Sequence, residues 1–217
     1  MSAVFFDMDG TLINGDTNDQ TTRFYLDRKL ATADFTAPLP AYVRSFFAGK
    51  LNITEFIEYI VSPLLPLDAK AQQEFLTALV TERILPLVKR GAYEAIEFHL
   101  KRQDTLVIVT STVDYLVRHI ARALGIAHVI AAPIGTDEQG RITGKVVGVV
   151  PYQHGKVERI EQFLKAQQLS WEDSYAYGDT VNDLPMLLKA THRFAIDPNA
   201  QLCAHPDFVR LQTLSWL

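Results

Sequence analysis

Val4-Phe5-Phe6-Asp7-Met8-Asp9-Gly10-Thr11-Leu12 is the stretch from which the fold can be read. Its three leading apolar residues predict a strand buried on both faces of a parallel sheet. The turn at Gly10 then leaves Asp7 and Asp9 at the strand's C-terminal mouth, where open α/β sheets bind ligands. Two carboxylates that close to an apolar strand cannot both stay charged and unpartnered, because desolvation and mutual repulsion raise the pKa of at least one. The pair therefore calls for a bound cation, a proton held on one acid, or both. A plainer reading stays open, in which the stretch is an Asx turn capping the next helix.

Working outward, roughly seventy residues follow with helical spacing and no strand pattern, far more than a usual crossover. Ile53, Phe56, Ile57 and Ile60 make one apolar helix face, Phe75, Leu76, Leu79 and Val80 another, and Pro63 and Pro66 interrupt the chain between them. From Gly91 the rhythm changes to alternating helix and strand. Ala92–Gln103 is expected to be a helix with Ala92, Ala95, Ile96 and Leu100 inward. Leu106–Val109 should form a buried strand, Val113–Leu124 a helix closed by Gly125, and His128–Ala132 a strand. A hairpin is expected around residues 135–140 with its return arm from Ile142 to Val150, then a helix over Lys156–Gln167 and a strand over Ser174–Tyr177. A helix running to Leu188 and a strand over Arg193–Ile196 complete the series, and the segment from Asp197 carries no clear signal. The fold class expected is α/β, a doubly wound Rossmann-like parallel sheet built from residues 1–14 and 86–217, with an inserted α-helical cap domain at 15–85.

The 217 residues carry a net charge of −4 and no basic cluster longer than Lys89-Arg90 or Lys101-Arg102, which argues against a nucleic-acid footprint. No apolar run approaches a membrane span, and no basic segment leads into an apolar one at the N-terminus, so a cytoplasmic protein without membrane partners is expected. The single cysteine, Cys203, is expected to pack inside. A small soluble substrate suits this balance, with the chain acting as a monomer or homodimer.

Three later strand ends carry polar groups that should share the edge of Asp7 and Asp9. Thr110 and Ser111 offer hydroxyls and N–H groups at an expected helix N-terminus, either an anion site or an ordinary cap. Asp179 and Asp183, four apart in Gly178-Asp179-Thr180-Val181-Asn182-Asp183, can converge as hard oxygen ligands for a divalent ion, or Asp179 or Asn182 can cap. Lys156 opens a helix after a polar loop, where a lysine is ordinarily just solvated. Together the groups supply what phosphoryl transfer through an aspartyl-phosphate needs.

These stretches, Asp7-Met8-Asp9-Gly10-Thr11-Leu12, Thr110, Lys156 and Gly178–Asp183, resemble the four motifs of the haloacid dehalogenase superfamily of phosphatases, in order and spacing. The resemblance implies Asp7 as nucleophile and Asp9 as the acid that protonates the leaving oxygen and later activates water. It implies phosphate bound by Thr110, Lys156 and backbone N–H groups near Asp9, Gly10 and Ser111. Mg2+ would be held by Asp7, the Asp9 carbonyl, Asp179 and, directly or through water, Asp183, with Asn182 in support. An aspartate at position 9 favours phosphatase over dehalogenase, since a phosphoester leaving group needs a proton.

The inserted helices resemble the cap of the branch that includes phosphoserine phosphatase, through Gly49-Lys50-Leu51-Asn52. The branch's amine-binding glutamate is matched by the shorter Asp16, and its carboxylate-pairing cap arginine by Ile60. Isoleucine cannot pair a carboxylate, so the substrate expected is an amino-alcohol phosphate such as histidinol phosphate rather than phosphoserine. Asp16 reads equally as amine receptor or helix N-cap. Arg23, Arg44 and Lys50 are expected on the surface. The alternatives are a phosphoserine phosphatase, a phosphotransferase using the same aspartyl-phosphate, and a non-catalytic regulatory module of the same fold.

Overall fold

The computed structural model describes residues 2–217, with Phe47 described by its backbone alone. Strand β1, Ala3–Phe6, is the inner strand from which the sheet is built. Val4 and Phe6 face one apolar layer and Ala3 and Phe5 the other, and all four are buried. Strands β2 (Thr105–Val113) and β3 (His128–Ala132) lie to one side of it, and β6 (Tyr175–Gly178), β7 (His192–Ile196) and β8 (Gln212–Leu214) to the other. The order is β3-β2-β1-β6-β7-β8, every pairing parallel. The sequence order reverses between β1 and β6, the switch point at which such sheets open a crevice. Strands β4 (Ile134–Thr136) and β5 (Ile142–Val146) form a separate antiparallel hairpin.

Helices α5 (Arg90–Lys101) and α6 (Asp114–Ala123) cover one face with Ala92, Ile96, Leu116, Val117 and Ile120. Helices α7 (His154–Gln167) and α8 (Leu184–Lys189) cover the other with Ile160, Leu164, Met186 and Leu187. Burying each of the larger of these side chains stabilises the fold by about 1.5–3 kcal/mol. Between β1 and β2 the chain forms α1 (Thr17–Asp27), α2 (Leu39–Phe47), α3 (Ile53–Val61) and α4 (Ala69–Leu79), with 3-10 turns before α2 and after α3 and a π turn after α4. Their starts are written in the sequence, since Asp16, Asn52 and Asp68 each accept main-chain N–H groups as N-caps. Phe24, Phe75 and Leu79 run into the same apolar cluster as Val4, Leu116 and Val117, so the inserted helices share the core of the sheet. The two ends of the insertion meet where Asn14 N–H donates to the Leu87 carbonyl at 2.8 Å and Lys89 N–H to that of Leu12 at 2.9 Å.

Several expectations are corrected. β2 stays extended through Val113, so Thr110 and Ser111 do not sit at a helix N-terminus; the register shifts between Val109 and Val113, and Thr110 Oγ1 accepts the Thr112 N–H at 3.1 Å. A Thr/Val-rich run prolongs the strand, and the irregularity re-aims its side chains. The return arm of the hairpin ends at Val146, not Val150. The helix after Asp179 begins only at Leu184, with Pro185 in its first turn. His99, not Leu100, faces inward, held between Asp104 Oδ2 at 2.9 Å and Tyr177 OH at 2.8 Å, while Leu100 is 46% exposed. Cys203 is exposed. Past Asp197 the chain adds α9 (Ala200–Cys203) and the edge strand β8, and it buries Trp216 against Phe6 and Tyr177. Among the described residues no helix is long and apolar enough to cross a membrane.

Candidate active site

The register brings the motifs together. Phe6 lies level with Ile108 and with Tyr177, so Asp7 leaves β1 beside Gly178-Asp179, and Asp7 N–H donates to the Tyr177 carbonyl at 2.9 Å. Asp7, Asp9, Gly10, Thr110, Ser111, Lys156, Asp179, Asn182 and Asp183 all line one cavity of about 610 Å³, and Asp16 and Ile60 line it from the inserted helices.

Lys156 is 3% exposed. Its ammonium donates to Asp7 Oδ1 through a very short bond and to Asp183 Oδ1 at 2.6 Å. Burial works against that ammonium, but Asp183 and Asp7 outweigh it and hold its pKa above the ordinary lysine value. Asp183 Oδ2 accepts the N–H of Thr180 at 3.0 Å and of Asp179 at 3.3 Å, which ties the loop together. Asp179 Oδ1 accepts the Thr11 hydroxyl at 3.1 Å. Gly10, at a φ of +83°, presses its α-carbon so closely on this carboxylate that a side chain there would collide with it.

Asp7, Asp179 and Asp183 each offer an oxygen within 4.8 Å of the others. Burial, followed by the mutual repulsion of these acids, pushes Asp7 up to about 7 and Asp179 up to about 9. One ammonium faces three acids, and the Asp9 carbonyl accepts no hydrogen bond among the described residues. Such a hard, electron-rich oxygen set fits a divalent cation of the Mg2+ type.

Asp9 is held differently. Its Oδ1 accepts the Thr17 N–H at 2.6 Å, from the start of α1, and its Oδ2 the Thr112 hydroxyl at 2.9 Å. Burial, then the charges of Asp16 and Asp7, raise its pKa to about 8 despite those bonds. A carboxyl group protonated at neutral pH and fixed on both oxygens is suited to general-acid work. Thr17 and Thr112 are thus functional contacts the sequence reading missed; Thr112 lies two residues beyond Thr110, but its approach to Asp9 is set by the strand irregularity. Gln153 was missed too. It enters α7 at a φ of +50° and donates to Asn182 Oδ1 at 3.2 Å.

Two expected phosphate contacts differ from the geometry. Gly10 N–H is spent on the Ile13 and Gly15 carbonyls, each at 3.0 Å. Thr110 and Ser111 reach the cavity from an extended strand rather than a helix end. Asp16 caps α1 through Oδ1 alone, from Asn18 N–H at 2.7 Å and Asp19 N–H at 3.0 Å, so Oδ2 has no hydrogen-bond partner among the described residues. The two readings of this residue are therefore compatible.

A family model described as haloacid dehalogenase-like hydrolase matches residues 4–188. The chain belongs to that family. The hydrolase is 28% identical over 201 residues to a histidinol-phosphatase of Neisseria meningitidis serogroup C (strain 8013), covering 91% of this chain and 90% of the relative. It is 28% identical over 203 residues to a phosphoserine phosphatase of Methanocaldococcus jannaschii, covering 94% and 86%. A solved phospho-aspartyl intermediate analogue of phosphoserine phosphatase matches with a TM-score of 0.66 at 26% identity, over 98% of this chain and 91% of that one. The hydrolase is a phosphoric monoester hydrolase.

The acids of the site make its stability sensitive to pH. Asp7, Asp9 and Asp179 have folded-state values of about 7, 8 and 9 against an ordinary 3.8, so the folded state binds protons more tightly than the unfolded one. The stabilisation this gives is present at low pH and is lost as pH rises through those values. The metal-free hydrolase should lose on the order of 5 °C in Tm between pH 5 and pH 9 from this source. Millimolar Mg2+ at the higher pH should recover it, as read by differential scanning fluorimetry. A Tm insensitive to Mg2+ at every pH would count against the metal site.

Proposed function

We propose that the hydrolase cleaves the phosphomonoester of a small metabolite through an aspartyl-phosphate on Asp7, and that residues 15–85 act as its cap. The observation that carries this reading is the convergence of Asp7, Asp9, Thr110, Lys156, Asp179 and Asp183 on one cavity at the sheet's switch point. The Asp7 carboxylate attacks phosphorus in line, and the ester P–O bond breaks as Asp9 gives its proton to the leaving oxygen. Water then attacks phosphorus and yields a proton to Asp9, and the Asp7–phosphorus bond breaks to release inorganic phosphate. Thr110, Ser111 and Lys156 hold the phosphate oxygens, and Lys156 fixes the Asp7 side chain. Asp7, Asp179 and the Asp9 carbonyl would hold Mg2+, with Asp183 and Asn182 in support, and the bound ion would supply positive charge at the transferring phosphoryl group. With every group of the constellation present, the geometry favours catalysis over a regulatory module. Added alcohols separate hydrolysis from transfer, because a transferase would form new esters at the expense of free phosphate.

The cavity wall supports a narrower substrate class. Tyr42, Val43, Phe46, Phe56 and Ile60 from α2 and α3 make it apolar and aromatic, while Asp16 adds a carboxylate at the start of α1. Lys156 is the one lysine or arginine lining it among the described residues; Arg23 is paired with Asp19 at 2.9 Å on the surface, and Arg44 and Lys50 are exposed outside it. A substrate carboxylate would be buried there without a cationic partner, which is costly. An amine finds Asp16 Oδ2, and a flat ring finds the aromatic wall. This favours an amino-alcohol phosphate carrying a ring, such as histidinol phosphate.

A panel of phosphorylated metabolites with Mg2+ tests the class. Histidinol phosphate should exceed phosphoserine in kcat/KM by roughly 100-fold, and phosphoserine as the best substrate would overturn the argument from Ile60. Asp16→Asn keeps the cap but removes the charge, so KM for an amine-bearing substrate should rise about 10-fold while KM for an aryl phosphate, which has no amine, changes much less.

A further inference from the structure

The C-terminal segment carries no motif, yet it reaches the catalytic loop through one buried ammonium. Lys89 lies in the returning connection from the inserted helices, directly before α5, and its side chain is 3% exposed. Its Nζ donates to the Gly10 carbonyl at 2.5 Å and to Asp197 Oδ2 at 2.9 Å. The same Asp197 oxygen accepts the Trp216 N–H at 3.2 Å, and the Trp216 carbonyl accepts the Gly91 N–H at 3.2 Å. Asp197 N–H in turn donates to the Leu214 carbonyl at 2.9 Å. The Gly10 turn and the C-terminal segment, both remote in sequence, thus close on the Lys89 side chain.

A buried ammonium is expensive, and an apolar side chain would fill the same space more cheaply. What the ammonium grips is the part of the loop that no side chain can hold. Gly10 follows the proposed acid Asp9, sits at a φ of +83° and lies against the Asp179 carboxylate. The peptide before it is fixed by its own N–H, bonded to Ile13 and Gly15, and that same peptide carries the Asp9 carbonyl. The peptide after it is fixed by Lys89. Because a trans peptide is planar, holding the Gly10 carbonyl also sets the direction of the Thr11 N–H, and with it the approach of Thr11 Oγ1 to Asp179.

We propose that Lys89 is a positioning residue of the phosphatase, which sets the Asp9-Gly10-Thr11 turn through the Gly10 carbonyl while Asp197 and the C-terminal Trp216 hold its ammonium in place. The C-terminal segment is then part of the catalytic frame. The inference rests on the roles proposed for Asp7 and Asp9. A displaced loop alters the alignment of the reacting groups more than the binding of the substrate body, so the loss falls on kcat.

The test compares Lys89→Met, Lys89→Arg, Asp197→Asn and the double variant Lys89→Met/Asp197→Asn, reading kcat, KM and Tm with p-nitrophenyl phosphate and Mg2+. Lys89→Met should lower kcat roughly 10- to 100-fold, a loss typical of small misalignments, with KM nearly unchanged. The double variant, in which the carboxylate left unpaired is neutralised, should regain much of the Tm lost by Lys89→Met but none of the kcat. Lys89→Arg should recover part of the kcat. A kcat that returns in step with Tm, or a folded double variant within about 3-fold of the wild type, would reduce Lys89 to a structural ion pair. Should Lys89→Met be isolated unfolded, Asp197→Asn decides: a lowered kcat at unchanged KM supports the inference, and a wild-type kcat overturns it. Asp7-dependent turnover by the wild type is the control. Its absence would remove the functional reading and this inference together, whereas intact turnover with indifferent Lys89 variants removes the inference alone.

Discussion

Asp7→Asn is expected to abolish turnover of p-nitrophenyl phosphate, lowering kcat by roughly 10³-fold or more, because an amide oxygen does not form the acyl-phosphate. The substitution is nearly isosteric, so the cavity and the contact with Lys156 keep their shape. It also removes one negative charge from a cluster whose members raise each other's pKa. The Tm of the metal-free variant should therefore equal or exceed that of the wild type at pH 8. A stable, inactive protein is the expected result, measured by steady-state kinetics beside thermal unfolding. Substantial residual activity in a clean preparation would sink the aspartyl-phosphate mechanism.

Asp9→Asn should cost about 10²–10⁴-fold with an alkyl phosphate, the usual worth of a positioned general acid. The loss in the first step should be much smaller with p-nitrophenyl phosphate, whose phenolate leaves without a proton. Since Asp9 also activates the water of the second step, the phosphoenzyme should then accumulate, giving a burst of p-nitrophenolate near one equivalent followed by slow turnover. Equal losses for both esters without a burst would remove Asp9 from its proposed role. The pH profile offers a second readout. With its pKa pushed up to about 8 by burial and by neighbouring acids, Asp9 is protonated at neutral pH and deprotonated above that value. Wild-type kcat for the alkyl ester should fall on the alkaline side near pH 8, and the variant should lack that limb.

Much of this architecture was legible in the residues. Val4–Phe6 ending in two acids announced a doubly buried parallel strand with a reactive mouth, because alternate residues of an inner strand must both be apolar. The β-α rhythm after Gly91 announced the doubly wound sheet, because crossovers of that length place helices on both faces. The motifs at Thr110 and Asp179 could be assigned to one edge, since parallel strands all end on the same side, whereas Lys156 arrives on the helix that follows the separate hairpin. Less legible were features that depend on how remote segments meet. The extension of β2 to Val113 follows from an irregular register with β3, and no local propensity encodes a register.

The division of labour among the acids was implied by the family resemblance and not by anything local to the two residues. In the sequence Asp7 and Asp9 are equivalent carboxylates one residue apart. Only the fold gives one of them a lysine 149 positions away and the other two threonines, from α1 and from β2. The same holds for Asp16, whose two oxygens serve the helix cap and the cavity separately, and for Lys89, which reads as an unremarkable surface base beside Arg90. By itself, the sequence determined the fold class, the chemistry and the edge on which it occurs, because apolar periodicity and motif order are local and survive without coordinates. The tertiary structure decided which groups each acid meets, which residues line the cavity and what holds the Gly10 carbonyl. Those outcomes depend on burial and on contacts between distant segments, and burial is a property of the folded chain alone.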